Sequence, residues 1–334
     1  MLYWNEFAGL TASDVTPTFS QGVDLSSSVP SRLNSVSHAL WPNFFITGTV
    51  KGGTTSLYRH LRGHPEVFLP AFKEPHYFAR IQPKPEQRHL IEHISEEHAY
   101  LYLYENAGDF PAIGDASTSN LWYPEAPTRI HAVTPDARMI ILLRDPVSRA
   151  HSHYLMDFRE GLVELPFSVE LLQEDFAQSE KGWGVSRLYV DLGLYHDQVQ
   201  RYLQIFGEDQ VLVLQFDDLV NAPEQTLKRV AAHLHIDPAP FQEMDVDQVH
   251  NGFKAPRGNW SRRCASSPLA RWIGYHLMPR KLQWWLYQNL ILKAASKPQI
   301  DPAARQYLEQ IYAPDIEKLE TLLGQKMPAL RSSW

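Results

Sequence analysis

Apolar positions along the chain gather into short runs, and each run is followed by residues spaced for a helix. "NFFITG" at 43–48 is a β-type apolar run closed by Gly48, which predicts a buried strand. Leu57, Tyr58 and Leu61 then recur at helical spacing until His64-Pro65 stops them, because a residue before proline is pushed out of the helical region. "ARMIILLRDPVSRAHSHYLMDF" repeats the pattern. Met139 to Leu143 predict a second buried strand, Asp145 can cap, and Pro146 suits a first helical position. A third case is "DQVLVLQFDDL" at 209–219, followed by "APEQTLKRVAAHLHI" with Leu227, Val230 and Leu234 on one face. Amphipathic helices are expected at about 167–180 and 186–206. Strands alternating with helices imply an α/β fold, a mainly parallel central sheet flanked by helices. Residues 1–42 read as a mobile N-terminal leader, rich in Ser and Thr over 11–40. No repeat or linker follows, so 43–334 is expected to be a single domain.

Composition narrows the class. Of 334 residues, 44% are apolar and 12% aromatic, enough for a sizeable core. A net charge of −7 argues against nucleic-acid binding by bulk electrostatics. The single cysteine, Cys264, excludes an intrachain disulfide framework and fits a reducing compartment. No apolar run reaches membrane-spanning length, and "MLYWNEFAGLTASDV" has neither a basic start nor an apolar core. These features predict a soluble, cytoplasmic protein.

The chemistry concentrates in "TGTVKGGTTSLYRHL", residues 47–61. In the phosphate loop G-x-x-x-x-G-K-[ST], lysine directly follows the last glycine. Here Lys51 precedes Gly52 and Gly53, and Thr54, Thr55 and Ser56 follow. A glycine turn opening a helix offers converging N–H groups and a positive dipole end, although an ordinary tight turn uses glycines too. The second strand ends in Arg144, where a P-loop nucleotide hydrolase would deliver an Asp to Mg²⁺. Ser152 follows eight residues later on the next helix, which makes a second anion site. Two anion sites without a dedicated metal carboxylate suit a nucleotide phosphorylated at both 5′ and 3′ positions. The rival reading is a P-loop kinase or nucleotide hydrolase using ATP and Mg²⁺; a third is a nucleotide-binding module without catalysis.

Lys51-Gly52-Gly53-Thr54-Thr55, with its preceding strand, resembles the 5′-phosphosulfate loop of sulfotransferases that use 3′-phosphoadenosine 5′-phosphosulfate (PAPS). Arg144 and Ser152, within "LLRDPVSRAHSHY", resemble that family's 3′-phosphate site, and 193–219 is similar to its later helix–strand block. The resemblance covers about residues 43–330 and is closest to bacterial and heparan-sulfate-type members. It implies the P-loop-like sulfotransferase fold, PAPS as cosubstrate, 3′,5′-ADP as product, no metal and a hydroxyl-bearing acceptor: a small molecule, a sugar or a lipid head group. Lys51 would then face the oxygen that leaves toward the 5′-phosphate, where charge builds. Glu74-Pro75-His76-Tyr77-Phe78 matches a Glu-x-His-x-Phe stretch of the heparan-sulfate type, which implies Glu74 as base with His76 orienting it or sharing the task. A Glu in this Pro-flanked loop can sit partly desolvated, which raises a carboxylate's pKa toward that of a useful base; the loop taken alone favours solvated charges, and the motif context reverses that. The alternative makes Lys73 and Glu74 solvated loop charges. One departure is Ala116 in "GDASTSNLWYP", where such members often carry a Lys; it weighs against a heparan-type acceptor.

Two further signals differ in weight. His89-Leu90-Ile91-Glu92-His93 spells H-x-x-E-H, a zinc-peptidase pattern, but no third ligand accompanies it. From Gln248 to Ile300 there is no Asp or Glu, but there are nine Lys or Arg and four Trp. Such a segment suits peripheral membrane contact through residues 257–297, or closure over an anionic cosubstrate. Lys254, Arg257 and Gly258 resemble the family's basic loop over the nucleotide.

Overall fold

The computed structural model describes residues 41–85, 87, 91–242, 254–258, 267, 282, 285–286, 289–290, 292–294 and 297–334. The expected leader, apart from Trp41 and Pro42, lies outside these residues, as does much of the acid-free segment. Five strands form one sheet in the order β2-β3-β1-β4-β5: β1 is Phe44–Ile46, β2 Val67–Phe68, β3 Ala112–Asp115, β4 Arg138–Leu143 and β5 Val211–Gln215. Every pairing in it is parallel, with Phe45 opposite both Asp115 and Met139, and Ile141 opposite Val213.

The strand residues explain why both faces are covered. Phe45, Met139, Ile141 and Leu143 point to one side and Phe44, Ile46, Ile140 and Leu142 to the other, all fully buried. Each such side chain removed from water contributes roughly 1.5–3 kcal/mol before entropy is counted. The first face packs on α4 (Ala126–Val133), α5 (Pro146–Glu160), α6 (Val169–Phe176), α7 (His196–Phe206) and α10 (Pro302–Leu323). The second packs on α1 (Thr54–Arg62), α8 (Phe216–Asn221) and α9 (Pro223–Leu234). Two shorter helices, α2 (Glu97–Tyr102) and α3 (Ser119–Trp122), flank β3 in sequence. A separate antiparallel pair, called here the β6–β7 hairpin although 35 residues intervene, joins β6 (Lys254–Pro256) to β7 (Leu292–Ala294).

The expected strands and α5 form where the pattern put them, and Asp145 caps α5 by accepting from Ser148 N at 2.7 Å. The helix expected over 186–206 is shorter: α7 begins at His196. Side chains claim the preceding backbone. Arg187 N and Tyr189 N donate to the Asp175 carboxylate at 3.0 and 2.8 Å, and the Tyr189 carbonyl accepts from Arg149 Nη2. The next helix can start only once Asp315 of α10 accepts from Tyr195 N and His196 N at 2.7 and 3.2 Å. A helix expected at 167–180 is likewise trimmed to 169–176.

Candidate active site

Parallel strands gather their C-terminal ends at one edge, and the candidate residues collect there. Thr47 N and Thr49 N donate to the carbonyls of Ile140 and Leu142, at 2.9 and 3.1 Å, so the loop after β1 lies along β4. Lys51 and Gly53 both have left-handed backbone, φ 63° and 93°, and the turn is pinned by Gly52 N donating to Thr49 O at 2.9 Å. At Gly53 a Cβ would lie 2.3 Å from the Phe216 ring, so only glycine fits the turn. Helix α1 then opens at Thr54 with no acidic residue in its first turn, leaving the positive end of its dipole uncompensated there. Lys51, Gly52, Gly53, Thr54, Thr55 and Ser56 are thus brought together as one turn.

Arg144 meets this turn directly. Its Nη1 donates to the Lys51 carbonyl at 3.1 Å, and its guanidinium stacks 4.7 Å above the Phe216 ring that also covers Gly53. Burial lowers its pKa, and neighbouring Arg149 acts in the same direction. Ser152 lies two turns along α5, and its Oγ accepts from Lys297 Nζ at 3.2 Å. Lys297 was missed by the motif reading. The signal lay in the acid-free segment, although nothing local distinguishes this lysine from the other eight cations. Burial and Arg144 lower the Lys297 pKa. Arg149, fully buried one turn beyond Asp145, adds a third positive charge behind the pair, with no carboxylate within ion-pair distance among the described residues.

The Glu74 pocket is of another kind. Glu74 and His76 have φ 65° and 56°, strained for residues with a side chain, and hydrogen bonds from the segment after β3 hold them. Glu74 N donates to Ala116 O at 3.1 Å, and His76 N to Ser117 Oγ at 3.2 Å. The Glu74 Oε2 accepts from both N and Oγ1 of Thr118 at 2.8 Å, and Oε1 accepts from Lys73 Nζ. Lys73 and Glu74 are 6% and 2% exposed, so the reading of solvated loop charges fails. The expected rise in the Glu74 pKa is also corrected. Burial pushes it up, but Lys73, His76 and the Thr118 bond outweigh burial, and the net shift is down. His76 Nδ1 lies 2.6 Å from Ser119 Oγ, and burial pushes its pKa down to about 4, so the ring is neutral near pH 7.

Asp115, at the end of β3, completes the pocket and was not singled out in the sequence. Burial raises its pKa to about 6; the Ser117 and Tyr100 hydroxyls oppose this, and the Glu74 charge adds to it. Tyr104 donates to the Tyr100 hydroxyl at 3.2 Å, and Tyr100 donates to Asp115 Oδ2 at 2.9 Å. Trp183 lies beside the His76 ring at 6.2 Å between centroids, and with Trp122 and Tyr123 it forms an aromatic wall.

The remaining expectations are met unevenly. Arg257 directs its guanidinium to carbonyls of its own segment, Nε to Leu292 at 3.2 Å and Nη2 to Asn289 at 2.9 Å. It braces the β6–β7 hairpin, with Gly258 next to it, while Lys297 is the described residue of that region bonded to the Arg144–Ser152 site. The side chain of Lys254 lies outside the described residues, as does His89 of the H-x-x-E-H stretch. Residues 91–95, which include His93, are not helical. Among the described residues no group of three or more potential metal ligands occurs, and no helix is long and apolar enough to cross a membrane.

A parallel α/β sheet with a glycine turn opening a helix at its C-terminal edge defines a broad class of group-transfer folds. The family within it follows from residues 42–240, which match the model of the sulfotransferase family. The chain belongs to that family. It is 28% identical over 247 residues to carbohydrate sulfotransferase 15 of Mus musculus, covering 59% of this chain and 44% of that protein. It is 29% identical over 218 residues to heparan sulfate glucosamine 3-O-sulfotransferase 6 of Homo sapiens, covering 65% of this chain and 57% of the other. The chain thus spans about half the length of the curated relatives it matches. A crystal structure of a sulfotransferase from Alicyclobacillus acidocaldarius superposes with a TM-score of 0.65 at 27% identity, covering 87% of this chain and 99% of that one.

Proposed function

We propose that the protein transfers a sulfuryl group from PAPS to a hydroxyl of a carbohydrate acceptor, releasing 3′,5′-ADP, in a cytoplasmic setting. The observation that carries the reading is the pairing of two anion sites through Arg144, whose side chain bonds the Lys51 carbonyl while α5, which follows it, presents Ser152. Glycine-only backbone at Gly53 and the cations gathered around Arg144 fit a doubly phosphorylated nucleotide. Bound at this edge, PAPS supplies the sulfuryl group. The turn 51–56 holds the 5′-phosphosulfate end, and Arg144 with Ser152 holds the 3′-phosphate. Lys51 donates a hydrogen bond to the oxygen that takes the electron pair as the sulfur–oxygen bond breaks.

Glu74 takes the proton of the acceptor hydroxyl. A carboxylate has about four acceptor positions on its two oxygens, and among the described residues Oε1 has a single donor, Lys73, so one direction there is left for the acceptor. His76 and the Thr118 bonds keep the carboxylate oriented. The carbohydrate assignment rests on the two relatives; Ala116 separates this chain from the heparan-type pattern. Against the ATP and Mg²⁺ reading, the strand end delivers Arg144 where a metal-holding carboxylate belongs.

The test is transfer of labelled sulfate from PAPS to a panel of glycans, alongside thermal shifts with 3′,5′-ADP and with ATP–Mg²⁺. Label in a glycan, with 3′,5′-ADP the stronger stabiliser, supports the reading. Stabilisation by ATP–Mg²⁺ alone overturns it.

A further inference from the structure

The residues that follow β3 grip the turn of Glu74 and His76 one after another. Ala116 O accepts from Glu74 N at 3.1 Å, and Ser117 Oγ from His76 N at 3.2 Å. Thr118 bonds Glu74 Oε2 through N and Oγ1, and Ser119 Oγ lies 2.6 Å from His76 Nδ1. Asp115, the last residue of β3, stands behind this row. The Ser117 hydroxyl, which receives the His76 N–H, donates its own proton to the Asp115 carboxylate. Tyr104 donates to Tyr100 and Tyr100 to Asp115 Oδ2, so two series of donors end on one carboxylate.

Asp115 is 1% exposed and has no cation within ion-pair distance among the described residues. Lys73 eases its ionisation but is bonded to Glu74. An amide would accept from the same two hydroxyls without the cost of burying a charge. What the carboxylate adds is that charge, and it stands beside Glu74. Repulsion between two carboxylates is mutual: Glu74 makes Asp115 harder to ionise, and ionised Asp115 raises the proton affinity of Glu74. This opposes Lys73 and Thr118, which hold Glu74 in its ionised form. The repulsion ends as Glu74 takes a proton, so its relief is gained during the reaction. Carboxylates whose environments push them apart in this way divide acid–base work between them.

We propose that Asp115 is a positioning residue for the proposed base: its carboxylate anchors, through Ser117, the turn that bears Glu74 and His76, and its negative charge strengthens Glu74 as a proton acceptor. The proposal rests on the reading of Glu74 as the base of sulfuryl transfer. The proton passes from the acceptor hydroxyl to Glu74, and Asp115 stays ionised. The groups that face it are Glu74 and Lys73 from the loop after β2, Tyr100 of α2 with Tyr104 just beyond, and Tyr202 of α7. Burial puts the Asp115 pKa at about 6, so the active form is lost as pH falls below that value. Stability runs the other way. A carboxylate raised above its unfolded pKa favours the fold at low pH and loses that contribution as pH rises through the folded value. Asp115→Asn is therefore expected to melt no lower than the parent above pH 6.

Two measurements on the full chain test this. In the first, side-chain carboxyls labelled with carbon-13 are titrated by NMR with no acceptor present. A carboxyl with its midpoint near pH 6 is expected to vanish in Asp115→Asn, to move down in Glu74→Gln and to move up in Ser117→Ala. Absence of such a signal, or one indifferent to Glu74→Gln, overturns the coupling. In the second, transfer of labelled sulfate from PAPS to the glycan that takes label in the panel is followed across pH. Asp115→Asn is expected to lower kcat about ten-fold, to keep the KM for PAPS and the affinity for 3′,5′-ADP within about two-fold, and to lose the acid limb near pH 6. Ser117→Ala is expected to raise that limb, and it carries the test if Asp115→Asn does not fold; an unmoved limb there overturns the proposal. So does a parent-like kcat in Asp115→Asn, or a lowered kcat whose limb stays in place, which marks packing damage. A parent that transfers no sulfate from PAPS overturns the reading of the site instead, and the carboxyl titration still decides whether Asp115 and Glu74 are coupled.

Discussion

The two halves of the candidate site treat charge in opposite ways. Around Arg144, three cations gather, Arg149 buried, Arg144 half-buried and Lys297 exposed, with no carboxylate within ion-pair distance among the described residues. Around Glu74, buried Lys73 pairs with the Glu74 carboxylate, Thr118 holds its other oxygen, and the second buried carboxylate, Asp115, is bonded by hydroxyls. In the first half like charges face one another, a repulsion that an anion would relieve. The second pairs its base with a cation inside the fold and keeps one acceptor direction on the Glu74 Oε1. An anion-binding surface can be built from loosely held charge, whereas a base must hold one oxygen of one carboxylate in place, which needs burial and a dense set of donors.

If that contrast is right, the largest loss follows from removing the base. Glu74→Gln keeps the shape and cannot take a proton, so transfer is expected to fall about 10²–10⁴-fold with 3′,5′-ADP binding unchanged. Steady-state rates and nucleotide titration check it. An unchanged rate across the pH profile would move the base to His76, which is neutral near pH 7.

Lys51→Ala comes next. A donor aimed at developing charge contributes roughly 10²–10³ in rate. Single-turnover rates at saturating PAPS are expected to drop by that factor, while 3′,5′-ADP, which lacks the leaving sulfuryl group, binds nearly as before. Near-normal turnover would make the lysine only part of the turn, where its carbonyl already serves Arg144.

Arg144→Ala acts on the cationic half and so on selectivity. Discrimination between 3′,5′-ADP and 5′-AMP is expected to shrink by about 1.5–3 kcal/mol. Competition binding reads this, and a parent-like preference would place the 3′-phosphate elsewhere.

The same contrast explains what could be read from the sequence. Anion sites are local: a glycine turn, an Arg at a strand end and a Ser two turns later announce themselves in order, and so do long apolar strands such as β4. Strand β3 gave no such signal. It is four residues long, and Gly114 in it supplies no side chain, because the Phe44 ring occupies the space where its Cβ would lie. With β3 unseen, Asp115 and the Thr118 clasp stayed invisible, and so the Glu74 environment was read as partly solvated. Lys297 was illegible for another reason, since its partner lies 145 residues away and no local pattern encodes a distant contact.

The smallest effect tests whether Lys73 sets the charge state of the buried base, and it appears in a profile more than in a rate. Removing the cation in Lys73→Met leaves burial to dominate, so the Glu74 carboxyl rises from its lowered position. The sign follows from linkage. A depressed carboxylate stabilises the fold above its unfolded pKa and loses that stabilisation as pH falls through the folded value. In Lys73→Met that loss begins at higher pH, and the acid limb of kcat/KM moves up with it. Removing one member of a buried pair also costs on the order of 3–5 kcal/mol of stability, so the profile is best taken well below the melting temperature. Lys73→Arg restores a cation and is expected to return the limb toward its parent position. Asp115 supplies the internal control, because its own pKa is about 6. A limb near pH 6 that disappears in Asp115→Asn belongs to Asp115, and the Lys73 comparison then applies to what remains. An acid limb unmoved in Lys73→Met would mean that the lysine does not set the charge state of the base, and the proposed division between the two halves would fail at its buried side.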